Sequence, residues 1–241
     1  MENSDSLAQS IRSIGKSQSR SQAEPRVSCS ICQGTGWIYI EDAVKECVCR
    51  VFQRICGRMA VLPKAFRMID PAMTNLREGQ DRVIHGVLEA KPNASIFVTG
   101  DHGAGKTFVL ALVYHRSACE TNRRLWYASV PGLLIAFQRL RREEAEGQED
   151  IPTAGLIMAK SRTGPITVCL DDLQAAHLTP AAGADLLALI EAVIHVGGQL
   201  LIASWIPAAA LAREWSGQCG MIGATIAAKI DSYCDWVQLH D

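Results

Sequence analysis

The sequence predicts an α/β fold, a five-stranded parallel sheet between helices, preceded by a small cysteine-bearing module. Three observations predict it. From Gly79 onward, apolar runs of strand length alternate with stretches of helical spacing, the pattern of a parallel sheet covered on both faces. The octapeptide Gly100-Asp101-His102-Gly103-Ala104-Gly105-Lys106-Thr107 stands between the first of those strands and the helix that follows it. Ahead of the alternating region, two close cysteine pairs, Cys29/Cys32 and Cys47/Cys49, flank a glycine-containing stretch.

Residues 1–26 are rich in Ser, Gln and Arg and poor in large apolar groups, a composition that cannot offset the entropy of ordering. A disordered tail is expected there, with a short amphipathic helix around Leu7, Ile11 and Ile14 able to form on a partner. Residues 27–57 make up the cysteine module. Residues 58–78 read as a connector broken into short pieces by Pro63 and Pro71. The core, residues 79–241, opens on a helix over Gln80–Ala90, where Val83, Ile84, Val87 and Leu88 share a face. Strands are expected at 94–99, 124–129, 166–171, 199–204 and 235–239, with helices between them. Pro131 opens one helix at its first turn, and the apolar-rich 184–196 supplies another.

A chain of 241 residues is long enough for one full core and a small module. No stretch has the uninterrupted apolar length that a bilayer demands, and the polar N-terminus has no segment resembling a signal peptide. A cytoplasmic, reducing location is the expectation, with no membrane association, so the cysteines are expected as thiols or metal ligands rather than disulfides. The formal charge of −1 leaves nucleic-acid binding to a local patch.

The octapeptide fits the P-loop pattern, and its context fits as well: an apolar run Ala94–Thr99 before it, a helical run Phe108–Val113 after it. Gly100, Gly103 and Gly105 adopt backbone angles that bulkier residues resist. The loop amides can then turn inward around phosphate oxygens at the positive end of the helix. The candidate nucleotide-binding set is Gly100, Asp101, His102, Gly103, Ala104, Gly105, Lys106, Thr107 and Phe108. Lys106 would neutralise the β- and γ-phosphates of ATP, and the Thr107 hydroxyl would hold Mg²⁺.

Ile166-Thr167-Val168-Cys169-Leu170 is an apolar run ending in Asp171-Asp172. Carboxylates at the tip of a central strand suit a Walker B role beside the P-loop: Asp171 would hold Mg²⁺, and Asp172 would orient or deprotonate the attacking water. The competing reading of Asp172 is a helix cap.

Cys29, Cys32, Cys47 and Cys49 have a spacing that suits a closed tetrahedral zinc site. Gly34 and Gly36 would let the backbone turn under the metal, and Trp37, Ile38 and Tyr39 would form a small strand. About thirty residues cannot build a stable core unaided, so Zn²⁺ would have a folding role. A redox pair is the alternative. Cys56 is near enough in sequence to be a spare ligand and is left out. Cys119, Cys169, Cys219 and Cys234 fall in expected core elements and read as packing residues.

A module of the form Cys-x-x-Cys-x-Gly-x-Gly-Trp…Cys-x-Cys ahead of a P-loop resembles the DnaC/DnaI-type helicase loaders, phage-type versions most of all. The resemblance covers about residues 27–241. It rests on the cysteine module, Gly100–Thr107, Leu170-Asp171-Asp172-Leu173 and the strand Leu200-Leu201-Ile202-Ala203-Ser204. IstB-like transposition helpers share the last three. The resemblance implies an AAA+ core with sheet order 5-1-4-3-2, a slow or partner-dependent ATPase used mainly as a switch, ATP-dependent self-association, and binding to a hexameric replicative helicase and single-stranded DNA. Two positions depart from it. Trp205 stands where the family has a polar sensor, and an indole has one donor and no acceptor. Ala228-Lys229-Ile230 replaces Ser-Arg-Leu, and lysine lacks the planar fork that grips phosphate oxygens. The short stretch after Trp205 leaves little room for the usual helical lid, so a reduced or absent lid is expected.

In such loaders the insertion between the second strand and Walker B contacts single strands, so the resemblance makes Arg139, Arg141, Arg142, Lys160 and Arg162 candidates for phosphate contact. The alternative for the arginines of 139–142 is a solvated helix end paired with Glu143 and Glu144. Trp126 and Tyr127 read as strand packing rather than stacking platforms. Beside a helicase loader, two functional readings stay open: an ATP-binding adaptor with little hydrolysis, favoured by Trp205 and Lys229, and an IstB-like transposition helper, which the cysteine module disfavours.

Overall fold

The computed structural model describes residues 29–40, 43–68, 86, 93–119, 123–142, 153–162 and 164–239. The N-terminal tail, the Gln80–Ala90 helix apart from Gly86, and residues 69–78 of the connector lie outside the described residues, as do the side chains of Arg142 and Lys160. The chain divides into two compact units, residues to Phe52 and residues from Gln53 onward.

The first unit holds a two-stranded antiparallel hairpin, β1 (Trp37–Ile40) and β2 (Ala43–Glu46), in the register Trp37↔Glu46 and Ile40↔Ala43. The helix α1 (Val48–Met59) begins directly after it. Gly34 and Gly36 have φ of 84° and 77°, left-handed values that glycine adopts without the Cβ penalty. Arg50 lies over the Trp37 ring at 4.2 Å and pairs with Glu46 at 3.3 Å. Among its described residues this unit buries almost nothing besides Cys32, Gly36 and Cys47, while Ile31, Tyr39, Ile40, Val44, Val48 and Phe52 are exposed.

In the second unit, a short 3₁₀ turn at Lys64–Phe66 precedes β3 (Ile96–Thr99), α2 (Lys106–Ala118), β4 (Arg124–Ser129), α3 (Val130–Arg142) and α4 (Ala154–Ser161). They are followed by β5 (Ile166–Asp171), α5 (Pro180–His195), β6 (Gln199–Ala203), α6 (Ala208–Cys219), α7 (Met221–Tyr233) and β7 (Asp235–Gln238). The five strands run in the order β4-β5-β6-β3-β7, all parallel. Counted from β3 as the first core strand, this is 5-1-4-3-2, the order the family resemblance implies. Among the described residues no helix is long and apolar enough to cross a membrane.

Every residue of β3, β5 and β6 is buried, because helices cover both faces of the central strands. Side chains alternate between two cores. Phe97, Val168, Leu170, Leu200 and Ile202 face the core built with α3, α5, α6 and α7; Ile96, Val98, Cys169, Leu201 and Ala203 face the one built with α2. A buried polar network ties the N-terminal ends of the strands together. Gln199 accepts from Ser117 at 3.0 Å and Thr167 at 2.9 Å and donates to the Ala94 carbonyl at 2.9 Å. Arg123 donates to Thr167 at 3.1 Å and to Asn93.

α6 and α7 were expected only as helical segment between the last two strands. They are separate helices because Gly220 turns the chain at φ 63°. They pack so closely that a Cβ on Gly223 would lie 2.5 Å from the Trp215 main-chain carbon and oxygen. Backbone cannot yield as a flexible side chain can, so Gly223→Ala is expected to cost about 1–3 kcal/mol. Chemical denaturation measures this, and an unchanged midpoint would contradict the tight crossing.

Of the four cysteines read as packing residues, Cys169, Cys219 and Cys234 are buried; Cys119 is exposed. The difference arises because Cys119 is the C-cap of α2, one residue past the buried end of that helix.

Candidate functional site

The P-loop connects the C-terminal end of β3 to α2. Gly100, Gly103 and Gly105 all have positive φ, at 151°, 91° and 90°. Gly105 is the left-handed N-cap of α2, so the helix starts at Lys106 and its first amides point into the loop. At Gly100 a second constraint operates: a Cβ would sit 2.7 Å from the Leu239 carbonyl, just beyond β7. Lys106 Nζ donates to the carbonyls of Gly100 at 2.9 Å and Asp101 at 2.6 Å, folding its ammonium back over the loop. Asp101, His102 and Gly103 are exposed, and Ala104 is buried. The Phe108 ring packs at 6.4 Å from Phe66, which leaves its main-chain amide as its contribution to the loop.

Asp171 ends β5, beside the central β6-β3 pair, and is buried. Its Oδ1 accepts the Asp172 amide at 3.0 Å and its Oδ2 accepts the Tyr127 hydroxyl at 2.8 Å. The Thr107 hydroxyl lies near enough to this carboxylate to act on its pKa. Burial raises the Asp171 pKa, the Tyr127 bond and the nearby Thr107 hydroxyl oppose that rise, and the Asp172 charge adds to it. Burial, reinforced by the Asp171 charge, pushes the Tyr127 hydroxyl well up. The structure thus brings the Thr107 hydroxyl near the Asp171 carboxylate, two hard oxygen donors of the kind Mg²⁺ takes. Asp172 is exposed in a left-handed conformation (φ 55°) at the start of a 3₁₀ turn, Leu173–Ala175. Its side chain makes no capping bond there, so the helix-cap alternative has no support in the geometry.

At the end of β6, Ser204 is buried and its hydroxyl accepts the Ile206 amide at 3.1 Å. Trp205 is 56% exposed and its main-chain amide donates to Gln174 Oε1 at 3.2 Å. Two polar contributions at this edge of the sheet were not read from the sequence: the hydroxyl of Tyr127, a residue expected only as strand packing, and the side chain of Gln174. Gln174 lies two residues after Asp172, and that spacing was the only local signal for it. Lys229, at the arginine position of the resemblance, pairs with Glu191 of α5 at 3.0 Å.

The basic residues are dispersed. Arg141 pairs with Asp185 of α5 at 2.9 Å, whereas Glu143 and Glu144 lie outside the described residues. Arg139 is exposed. Arg162 is exposed at the N-terminal end of β5, where with Ser161 and His195 it lines a hollow of about 640 Å³. Trp126 packs against the core, as expected of a strand residue.

In the first unit the Cys29, Cys32, Cys47 and Cys49 sulfurs all lie within 4.8 Å of one another, and Cys56 is not in the group. Cys29 and Cys47 are 3.8 Å apart, Cys32 and Cys49 3.4 Å. Four sulfurs on a tetrahedron with Zn–S bonds of about 2.3 Å stand about 3.8 Å apart, so the donor set fits the ion. The turns around it are fixed by backbone bonds, Gln33 N–H to the Cys29 carbonyl at 2.8 Å and Cys47 N–H to the Gly36 carbonyl at 2.9 Å. Burial pushes the Cys32 thiol up. The Gly36 amide, at 3.2 Å from the sulfur, and the neighbouring thiols outweigh this and bring it down to about 6. Cys49 is pushed up to about 12, first by its contact with Cys32 and then by burial.

No family model and no curated protein matches the sequence. Solved structures do match. The crystal structure of DnaI aligns with a TM-score of 0.54 at 15% identity, over 76% of this chain and 96% of that one. The crystal structure of the DnaC helicase loader aligns with a TM-score of 0.54 at 13% identity, over 73% and 99%. Domain III of the Thermotoga maritima replication initiation protein DnaA aligns with a TM-score of 0.53 at 14% identity, over 71% and 68%. At these identities the likeness concerns the fold: this chain shares its α/β architecture with DnaI, the DnaC helicase loader and DnaA domain III.

Proposed function

We propose that the protein is an ATP-switched helicase loader, which binds a hexameric replicative helicase and helps place it on single-stranded DNA. The observation that carries the nucleotide part is the approach of the Thr107 hydroxyl to the buried Asp171 carboxylate beside a glycine loop over which the Lys106 ammonium is folded. Support for the loader part comes from the fold likeness to DnaI and DnaC together with the separate cysteine unit.

In this reading the loop amides and Lys106 bind the triphosphate. Thr107 and Asp171 would hold Mg²⁺, which when bound neutralises charge developing on the phosphates. Asp172, exposed beside them, orients water. Cys29, Cys32, Cys47 and Cys49 would hold Zn²⁺, whose contribution is to fold the cysteine module, residues 27–57, for helicase binding. Arg139 and Arg162 are the exposed candidates for DNA phosphates. ATP-dependent self-association would bring Lys229 toward a neighbouring copy, once it leaves Glu191.

A second reading, an adaptor that binds ATP with little hydrolysis, is favoured by the exposed Trp205 and by the Lys229–Glu191 pair. ATP turnover measured alone and with helicase and single-stranded DNA separates the two. Stimulation by the partners is the expected result for the loader. Turnover that stays at background under all conditions, with ATP still bound, would establish the adaptor. Oligomers formed on duplex DNA would instead indicate a transposition helper.

A further inference from the structure

We propose that Tyr127 is a positioning residue that locks the Asp171 carboxylate for metal-bound nucleotide, an inference that rests on the nucleotide-site reading above. β4 pairs with β5 so that Tyr127 stands opposite Cys169 and Ser129 opposite Asp171. Tyr127 and Asp171 are therefore diagonal neighbours on one face of the sheet, a separation an aromatic side chain can span. The hydroxyl reaches Oδ2 at 2.8 Å.

The consequence lies in the carboxylate's remaining freedom. A terminal carboxylate torsion is broad and roughly two-fold, so a lone Asp does not hold one orientation. Here Oδ1 is fixed by the Asp172 amide at 3.0 Å and Oδ2 by Tyr127 at 2.8 Å. The amide belongs to the backbone and the phenol to a strand paired along its length, so neither partner shifts with the loop. The carboxylate is thereby held in one orientation before any ligand arrives. A ligand-bearing site supported in this way needs less reorganisation to bind metal. Phenylalanine would fill the same volume in β4, so packing gives no reason for the hydroxyl; the bond to Asp171 does.

The test is Tyr127→Phe, read by the affinity of a fluorescent ATP analogue titrated in Mg²⁺ and in EDTA. The lock predicts that the Mg²⁺ midpoint rises about tenfold, the effect of one hydrogen bond to a charged group, while affinity in EDTA and the thermal midpoint stay near wild type. In an Asp171→Asn background the same substitution should add nothing. Equal weakening in Mg²⁺ and EDTA, an equal effect in both backgrounds, or no change at all would each overturn the positioning role. Failure of the wild-type protein to bind the analogue in either medium would instead overturn the nucleotide site itself, and is recognised separately in the same titration.

Discussion

Replacing Lys106 with alanine is expected to lower ATP affinity at least about a hundredfold, because a charge-assisted contact to phosphate is removed from a site with few alternatives for it. Calorimetric titration measures the loss directly. Thermal unfolding gives a second view: ATP should raise the melting temperature of the wild type by mass action and leave the variant where it is. In the structure the Lys106 ammonium bonds the Gly100 and Asp101 carbonyls, so the substitution removes a cation from the loop rather than from the core. Unchanged ATP affinity would contradict the assignment of Gly100–Thr107 as the phosphate-binding loop.

Removing the metal, by chelation or by Cys29→Ser, is expected to unfold the first unit. The physical reason is that this unit has almost no apolar core among its described residues: what it buries is chiefly Cys32, Gly36 and Cys47, and its larger apolar side chains face solvent. A unit this small depends on cross-links or metal for its fold, and structural zinc supplies about 10–16 kcal/mol of apparent binding energy that becomes folding energy. Metal analysis should find one zinc per chain. Circular dichroism and NMR should show loss of the β1–β2 hairpin after chelation, while the ATP-dependent thermal shift of the second unit persists. A metal-free protein that keeps the hairpin would refute the zinc assignment.

Much of the sheet was legible in the sequence, because its signals are local. β4 and β5 span the residues that their apolar runs indicated. β3 begins two residues later than expected, since the Ser95 hydroxyl accepts the Leu200 amide and its carbonyl accepts the Asp235 amide outside the ladder. α5 begins at Pro180 rather than 184, because Thr179 caps it through the Ala182 amide at 3.2 Å and Pro180 fits the first turn. The four cysteines were legible from spacing alone, since their closeness depends on two short turns and one hairpin. The turn at Gly100–Gly105 between β3 and α2 was legible for the same reason.

What stayed hidden depends on the register between distant segments. The Tyr127–Asp171 bond exists because β4 pairs with β5 in one register out of several, and nothing local to Tyr127 specifies it. Arg141 finds Asp185 and Lys229 finds Glu191 across packed helices, contacts that periodicity within either helix does not contain. Gln174 reaches the Trp205 amide only because β5 and β6 are neighbours in the sheet.

The central claim, that nucleotide occupancy of this P-loop controls engagement of a replicative helicase, is tested most directly by co-purification with the hexameric helicase in ATP and in ADP, with Lys106→Ala alongside. The account predicts stable association of the wild type that differs between the two nucleotides, and a variant that no longer distinguishes them. Absence of association in both nucleotides would contradict it.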